Sequence, residues 1–333
     1  MRSYTLIYMS FFVISTTFFC QAQTAEALLQ AVKAADLTEI EGILDKDDSN
    51  INQIYQNDTR FGSTLLCIAA CNGRLEVADL LIKKGALLKV EENYVYDVLK
   101  EAVNCGQADI VDWLLNGKVY TVADESYLKN MMYLTIGNDD VFTFNILLNN
   151  TPSMQQVEGY TELLFSTAIN NKVRMFERLT ILGADLRAID DKSGEAIVHL
   201  AASSPDVLKF LFEKGLDINA LSPRQQTPLH LSQDIDAVRF LLSQGADLDA
   251  IDEYGWTAFH YAVLDADLDI VNLLLSNGID ATLTTQKELK ALQSGLSVPA
   301  NSTPLQIAEI AIAFHKNKPD LEYRLNSILQ LLK

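Results

Sequence analysis

The side chains of this sequence that could do chemistry are histidines, cysteines and paired acidic residues. His199, His230 and His260 recur at spacings of 31 and 30 residues, and three histidines could hold a metal ion. However, equivalent positions in consecutive repeated segments lie too far apart for one coordination sphere. Because His230 and His260 each follow a threonine three positions earlier, we expect the imidazoles to bridge backbone groups of neighbouring loops. We therefore predict no metal and no cofactor.

The cysteines allow two interpretations. If the first 22 residues are removed, Cys67, Cys71 and Cys105 remain, and an odd number in an exported protein permits one disulfide and one free thiol. Cys67 and Cys71 lie one helical turn apart. All three could instead pack between helices as small apolar residues, which is the interpretation we favour. No second cysteine pair and no nearby histidines complete a zinc site.

No catalytic motif accompanies these residues. The sequence has no phosphate loop ending in Gly-Lys-Ser/Thr, no Gly-x-Ser-x-Gly turn and no His-Glu-x-x-His helix. The acidic pairs Asp190-Asp191 and Asp252-Glu253 are more typical of solvated turns than of general acids. A stretch at 284–300 could hide an active site, but Glu288 is its one acidic residue and it has no histidine, cysteine or aspartate. We expect a non-enzymatic protein.

Composition indicates a folded, acidic chain. Hydrophobic residues make up 49% of the 333 residues, and the formal net charge is −18. Removing residues 1–22 would lose only Arg2 among the charged residues, leaving 25 basic and 44 acidic residues and a net charge of −19. Such a surface repels phosphates and anionic lipids. We predict no nucleic-acid partner, whereas a protein with basic patches remains compatible with this charge.

Residues 1–22 are typical of an export signal. Arg2 is followed by a mostly apolar stretch at 6–19, which is short for a membrane span. Cys20 and Ala22 supply small residues before a cleavage site near Ala22. Two alternatives remain, an uncleaved membrane anchor and a lipoprotein acylated at Cys20. We expect an exported chain, periplasmic or secreted, without membrane contact after cleavage.

The segment 227–281 contains the same sequence pattern twice. Thr227-Pro228-Leu229-His230 and Thr257-Ala258-Phe259-His260 each begin a short apolar helix pattern, and a second leucine-rich pattern ends at a glycine. Those two glycines, Gly245 and Gly278, lie 33 residues apart. Related patterns occur throughout the chain, with apolar residues three and four positions apart. This spacing predicts repeated pairs of amphipathic helices.

The pattern resembles the ankyrin repeat, which has a period of about 33 residues and the phrase Thr-Pro-Leu-His-x-Ala. The resemblance implies an all-α solenoid of stacked helix-turn-helix units with connecting β-hairpin loops over residues 23–333. About nine units are expected, of which the first and last are caps and the fourth is degenerate. Their approximate ranges are 24–60, 61–93, 94–125, 126–157, 158–192, 193–223, 224–253, 254–284 and 302–333. An insertion at 285–301 follows the eighth unit, and Gln286–Gln293 could form a short helix within it.

The resemblance implies a monomeric interaction module that binds an unknown protein through its hairpin fingertips and concave face. The candidate contact residues fall on or beside the predicted fingertips. They are Arg187, Asp191, Lys192, Arg224, Gln225, Tyr254 and Trp256. Tyr254 and Trp256 flank Gly255, where exposed aromatic side chains could anchor a partner, although Trp256 could instead pack on the next finger. The alternative function is an inhibitor or immunity-type protein that blocks a basic enzyme or toxin.

Overall fold

The computed structural model describes residues 23–55, 63–90, 96–122, 125–155, 157–291, 296–315 and 318–333. These residues divide into two compact units at the boundary after Gln155, here called the N-terminal unit and the C-terminal unit. The predicted export signal at 1–22 lies outside the described residues. Within the described ranges, no helix combines the length and apolar character that crossing a membrane requires.

The described residues of the N-terminal unit form helix pairs and two short paired strands. Its elements are α1 (23–34), α2 (Leu37–Leu44), α3 (Leu65–Cys71), α4 (Leu75–Lys83), β1 (Lys89–Val90), β2 (Tyr96–Asp97), α5 (Val98–Asn104), α6 (Ala108–Asn116), α7 (Glu125–Asn138) and α8 (Val141–Asn149), followed by a 3-10 turn (Pro152–Met154). Strands β1 and β2 are antiparallel, with Lys89 opposite Asp97.

The C-terminal unit repeats the same arrangement with shorter first helices. Its elements are α9 (Val157–Ile169), α10 (Val173–Ile181), α11 (Ile197–Leu200), α12 (Pro205–Glu213), α13 (Pro228–Leu231), α14 (Ile235–Ser243), α15 (Ala258–Leu264), α16 (Leu268–Ser276), β3 (Leu289–Ala291), β4 (Leu296–Val298), α17 (Pro304–Phe314) and α18 (Pro319–Leu331).

In each unit the helices form two packed layers. In the C-terminal unit the first helices α9, α11, α13, α15 and α17 contact one another in sequence order, and so do the second helices from α10 to α18. In the N-terminal unit α3, α5 and α7 form the same kind of series. Because each pair buries its apolar residues against its neighbours, no pair is stable alone. The predicted all-α repeat architecture is confirmed.

Polar side chains fix where the helices begin. Thr64 accepts a hydrogen bond from the Cys67 N–H at 3.2 Å, and Thr303 accepts one from the Gln306 N–H at 3.3 Å. Several second helices begin at an aspartate instead, as at Asp267, whose carboxylate accepts from the Ile270 N–H at 3.0 Å. Each such cap satisfies a backbone donor that the helix leaves free.

A buried aspartate replaces the capping threonine of α5. Asp97 is fully buried and accepts hydrogen bonds from the backbone N–H groups of Leu99 and Lys100, at 2.9 and 3.2 Å. The Tyr120 hydroxyl also donates to its carboxylate. Lys89 Nζ lies 3.9 Å from the same carboxylate and 4.4 Å from the centroid of the Tyr120 ring. These partners compensate the burial of the Asp97 charge.

A disulfide joins two neighbouring repeats of the N-terminal unit. Cys71, the last residue of α3, is bonded to Cys105, which caps the end of α5. Cys67 is buried and free, and its burial raises the pKa of the thiol to about 12. The favoured interpretation, in which all three cysteines pack as small apolar residues, is therefore wrong for Cys71 and Cys105 and holds for Cys67. The alternative with one disulfide and one free thiol is confirmed.

The described residues of the insertion after the eighth unit contain two paired β-strands. Strands β3 and β4 are antiparallel, with Leu289 opposite Val298. The expected short helix at Gln286–Gln293 is therefore wrong for the described residues of that range, which end at 291. Strand pairing satisfies the backbone N–H and C=O groups of these residues. A short isolated helix would be only marginally stable in water, because helix nucleation is unfavourable.

Candidate interaction surface

The loops that precede the first helices of the C-terminal unit form tight fingers. Residues 185–196, 217–227 and 247–257 are fingers 1, 2 and 3, and together they are called the finger surface. Each finger is closed by one backbone hydrogen bond of 2.9 Å. The donor N–H groups belong to Asp190, Ser222 and Asp252, and the acceptor carbonyls to Glu195, Gln226 and Trp256.

Hydrogen bonds between neighbouring loops fix the spacing of the fingers. The Glu253 N–H of finger 3 donates to the Arg224 carbonyl of finger 2 at 3.0 Å. The Tyr254 carbonyl in turn accepts from the backbone N–H groups of Gln286 and Lys287, at 2.8 and 3.0 Å. Residues at the tips of fingers 2 and 3 are therefore held at set distances, which favours recognition of a partner surface without large ordering costs.

The recurring histidines hold the fingers onto the helices. His230 Nδ1 accepts from the Thr227 N–H at 3.1 Å, and its Nε2–H donates to the Trp256 carbonyl of finger 3 at 3.0 Å. His260 repeats this arrangement: its Nδ1 accepts from the Thr257 N–H at 3.0 Å, and its Nε2–H donates to the Leu283 carbonyl at 3.1 Å. The expected structural role of the histidines is confirmed.

Burial and a missing threonine distinguish the three imidazoles. Burial lowers the pKa of His230, and it lowers the pKa of His260 to about 4. His199 donates from Nε2 to the Ala220 carbonyl at 2.9 Å, but its buried Nδ1 has no hydrogen-bond partner among the described residues. Ala196 stands at the position where the other two repeats have a threonine. The three rings bond to separate loops, and the described residues contain no group of three or more metal-ligating side chains.

Five of the seven predicted contact residues are exposed on the finger surface. Arg187, Asp191 and Lys192 lie on finger 1, and Arg224 and Gln225 lie on finger 2. Tyr254 on finger 3 is only half-buried, so part of its ring remains accessible. Gln225 adopts a φ of +60°, a conformation that costs free energy for a residue other than glycine. The structure thus brings these residues onto one series of loops.

Of the two interpretations of Trp256, the exposed contact residue is wrong, and the packed side chain agrees with the structure. Its side chain is fully buried, and its ring lies 5.0 Å from the Tyr261 ring and 5.8 Å from the His260 ring. The next loop lies so close to Gly255 that a Cβ there would come within 2.7 Å of the Gln286 backbone nitrogen. Trp256 is therefore a core residue that supports finger 3.

Sequence reasoning missed an apolar row on the fingers. Ile189, Leu221 and Ile251 each directly precede the residue that closes their finger, and their exposed fractions are 60%, 64% and 43%. Their spacing of 32 and 30 residues matches the repeat, so the signal was present in the sequence. Exposed aliphatic side chains at equivalent positions of successive loops form a surface that a partner can cover.

A groove lies beside the fingers in the C-terminal unit. Its volume is about 500 Å³, within the usual range for ligand sites. The residues that line it are Gln226, His230, Leu231, Ser232, Gln233, Ala258, Tyr261, Ala262, Asp265, Asp267, Ile270 and Arg324. Tyr261 donates to the Asp252 carboxylate at 2.6 Å and accepts from Gln226 at 3.1 Å. Burial and the Asp252 contact raise the pKa of Tyr261, which stays protonated.

The acidic excess of the C-terminal unit is concentrated in the segment 234–280. The segment 234–280 contains ten acidic residues and one basic residue, Arg239. The acidic residues divide between the starts of the second helices, where Asp267 and Asp269 lie, and the fingers, where Asp247 and Asp249 lie. This segment therefore produces a negative potential both at the starts of its second helices and on its fingers.

Comparison with known proteins identifies the repeat. The family model for ankyrin repeats matches residues 26–124 and 216–285, in three copies, which together make up just over half of the chain. Neurogenic locus notch homolog protein 2 of Homo sapiens and of Mus musculus are each 26% identical to the chain over 160 residues. Each match covers 36% of this chain and 6% of the relative, so the chain spans only a small part of these curated relatives.

Proposed function

Because the chain belongs to the ankyrin-repeat family, we propose that it is a protein–protein interaction module that binds its partner through the finger surface of the C-terminal unit. The observation that carries this proposal is the row of Ile189, Leu221 and Ile251, which is exposed on successive fingers and flanked by charged and polar side chains. An apolar centre with a polar rim is the usual composition of a binding interface. The protein acts as a monomeric, non-enzymatic binder.

Site-specific photo-crosslinking tests this function. A photoreactive residue in place of Leu221 on finger 2 should form one covalent product of discrete mass in the native compartment. The matched control places the same residue at Tyr323 of α18, which is 73% exposed but lies outside the fingers. Equal products from both positions, or none from Leu221, would contradict the proposal.

A substitution series gives an independent test. Serine at Ile189, Leu221 and Ile251 should abolish capture of the crosslinked protein because it removes the apolar centre of the surface. The melting temperature should stay unchanged, since these side chains are exposed and fill no core space. Retained capture by the triple variant would show that the partner binds elsewhere.

We further propose that the protein works outside the cytoplasm. The sequence pattern of residues 1–22 and the Cys71–Cys105 disulfide support this location, because disulfides persist in oxidising compartments. Mass spectrometry of the native protein should find an amino terminus near Gln23. An intact amino terminus in the cytoplasmic fraction would contradict export.

The charge of segment 234–280 favours a second candidate, an inhibitor that covers a basic enzyme or toxin. Ten acidic residues against one basic residue would attract such a partner over long range. Attraction of this kind is screened by salt, so the affinity should fall as ionic strength rises. Salt-independent binding would argue against this candidate and leave the finger-surface proposal intact.

A further inference from the structure

The apolar row presents one anchor point on each of the three fingers. Ile189, Leu221 and Ile251 occupy equivalent positions, because each directly precedes the residue whose N–H closes its finger. The fingers lead into α11, α13 and α15, which contact one another in that order. Packed helices have axes about 8–10 Å apart. Neighbouring anchor points are therefore separated by about 10 Å, and the whole row is about 20 Å long.

An α-helix matches this spacing, whereas a β-strand does not. Each helical residue advances about 1.5 Å, so side chains seven positions apart lie on one face at a separation of about 10.5 Å. In a strand, residues three positions apart span about 10 Å but point to opposite faces. A polyproline II segment repeats every three residues, at about 9 Å. Such segments dock in aromatic-lined grooves, however, and the apolar row is aliphatic.

The backbone N–H groups of the fingertips are already hydrogen-bonded within the protein. In finger 3 all five N–H groups of residues 252–256 donate to acceptors of the chain itself. In finger 2 the same holds for residues 222–226, where Pro223 has no N–H. A bound segment could use these donors only by breaking the bonds that shape the fingers. An α-helix satisfies its own backbone groups, so it can cover the row without them.

Polar side chains on both sides of the apolar row set the chemistry of the rest of such a helix. Four positions before each anchor point the chain has an exposed aspartate, and three positions after it come tip residues that are exposed or half-buried. The aspartates are Asp185, Asp217 and Asp247, and the tip residues are Lys192, Arg224 and Tyr254. Asp191 and Glu253 add acidic charge at the tips. A helix with a single apolar stripe places polar flanks against these charges, whereas a helix that is apolar all round would leave apolar side chains beside them.

We propose that the partner binds the apolar row through one amphipathic α-helix, whose apolar side chains stand at three positions seven residues apart. Two such intervals require a helix of about 15 residues, or about 21 Å. The row ends at Ile251, because the equivalent residue of the next loop is Thr284, which precedes the Thr285 N–H that closes that loop on the Ser302 carbonyl. This inference rests on the proposed interaction function and names the form of the partner's binding segment.

Crosslink mapping at the three anchor points tests the helix. The photoreactive residue replaces Ile189, Leu221 or Ile251 in three separate chains, and mass spectrometry locates the attachment point of each on the captured partner. The three attachment points should fall within one segment, at intervals of about seven residues. Intervals of about three residues would indicate a polyproline II segment, and attachment points scattered over separate segments would indicate a composite surface. Either result would overturn the helix.

A synthetic peptide of the mapped segment provides a second readout. One version carries proline at a polar position midway between two attachment points, and the matched control carries alanine there. Proline disrupts a helix interior, so in fluorescence anisotropy with the full chain the proline peptide should bind roughly 100-fold more weakly. Equal affinities of the two peptides, or no binding of the alanine peptide, would contradict a helical anchor.

The crosslinks also separate failure of the helix from failure of the proposed function. Discrete products at the wrong intervals would refute the helix and leave the finger surface as the binding site. Absence of a product at all three positions would refute the finger surface itself, and the helix with it.

Discussion

Breaking the Cys71–Cys105 disulfide should strongly destabilise the N-terminal unit. The bond joins residues 34 positions apart and connects α3 to α5 of the next repeat. The chain-entropy relation for a closed loop of this size gives about 4 kcal/mol of stabilisation relative to the reduced chain. Because repeats unfold through their interfaces, the bond also prevents one repeat from separating from the other.

Urea unfolding with and without reductant measures this effect. The chain has two tryptophans, Trp113 and Trp256, so in a Trp256→Phe background the emission of Trp113 reports the N-terminal unit. Reductant should lower the free energy of unfolding of the N-terminal unit by about 4 kcal/mol. The double variant Cys71→Ala/Cys105→Ala should show a similarly lowered free energy of unfolding without reductant.

Cys67→Ala provides the control, because Cys67 is buried and free. This variant should keep its sensitivity to reductant, whereas the double variant should lose it. The reasoning would be refuted by a wild type whose unfolding ignores reductant, or by sensitivity that disappears only in Cys67→Ala.

Three further predictions concern the fingers. In chemical unfolding, Trp256→Ala should destabilise the C-terminal unit by roughly 3–5 kcal/mol, because the Trp256 ring is fully buried. Tyr254→Ala should cost less than about 1 kcal/mol, because Tyr254 is only half-buried. Equal costs for the two variants would contradict the assigned burial. The pKa of folded His260 is lowered to about 4, so the unfolded chain binds a proton first as the pH falls. Between pH 8 and pH 5 the wild type should therefore lose about 2 kcal/mol more stability than His260→Gln, and parallel pH profiles would refute this. Gln225→Gly should raise the melting temperature, by relieving about 1 kcal/mol of backbone strain at a φ of +60°, and a lowered value would show that the side chain stabilises the finger.

Features set by nearby residues could be predicted from the sequence. The helix pairs follow from apolar spacing, and the role of His230 and His260 follows from the threonine three positions earlier. The apolar row at Ile189, Leu221 and Ile251 was also visible as a periodic pattern. The spacing alone does not show that these aliphatic residues are exposed, because buried core residues recur with the same repeat period.

Features set by distant residues could not be predicted. Trp256 is fully buried, and the loop at Gln286 lies close to the neighbouring Gly255. The sequence left open whether Trp256 is exposed or packed, because the answer depends on how a later loop folds. Asp97 similarly depends on Tyr120 and Lys89, which come from separate elements. The pairing of Cys71 with Cys105 depends on how two repeats stack. Each of these contacts is a property of packing between repeats.

Hydrogen–deuterium exchange of the protein with and without its captured partner tests the central claim most directly. If the partner covers the finger surface, protection should appear at 185–196, 217–227 and 247–257, and the exposed helix α18 should exchange as before. Protection confined to the N-terminal unit or to α18, with the fingers unchanged, would contradict the proposed binding surface.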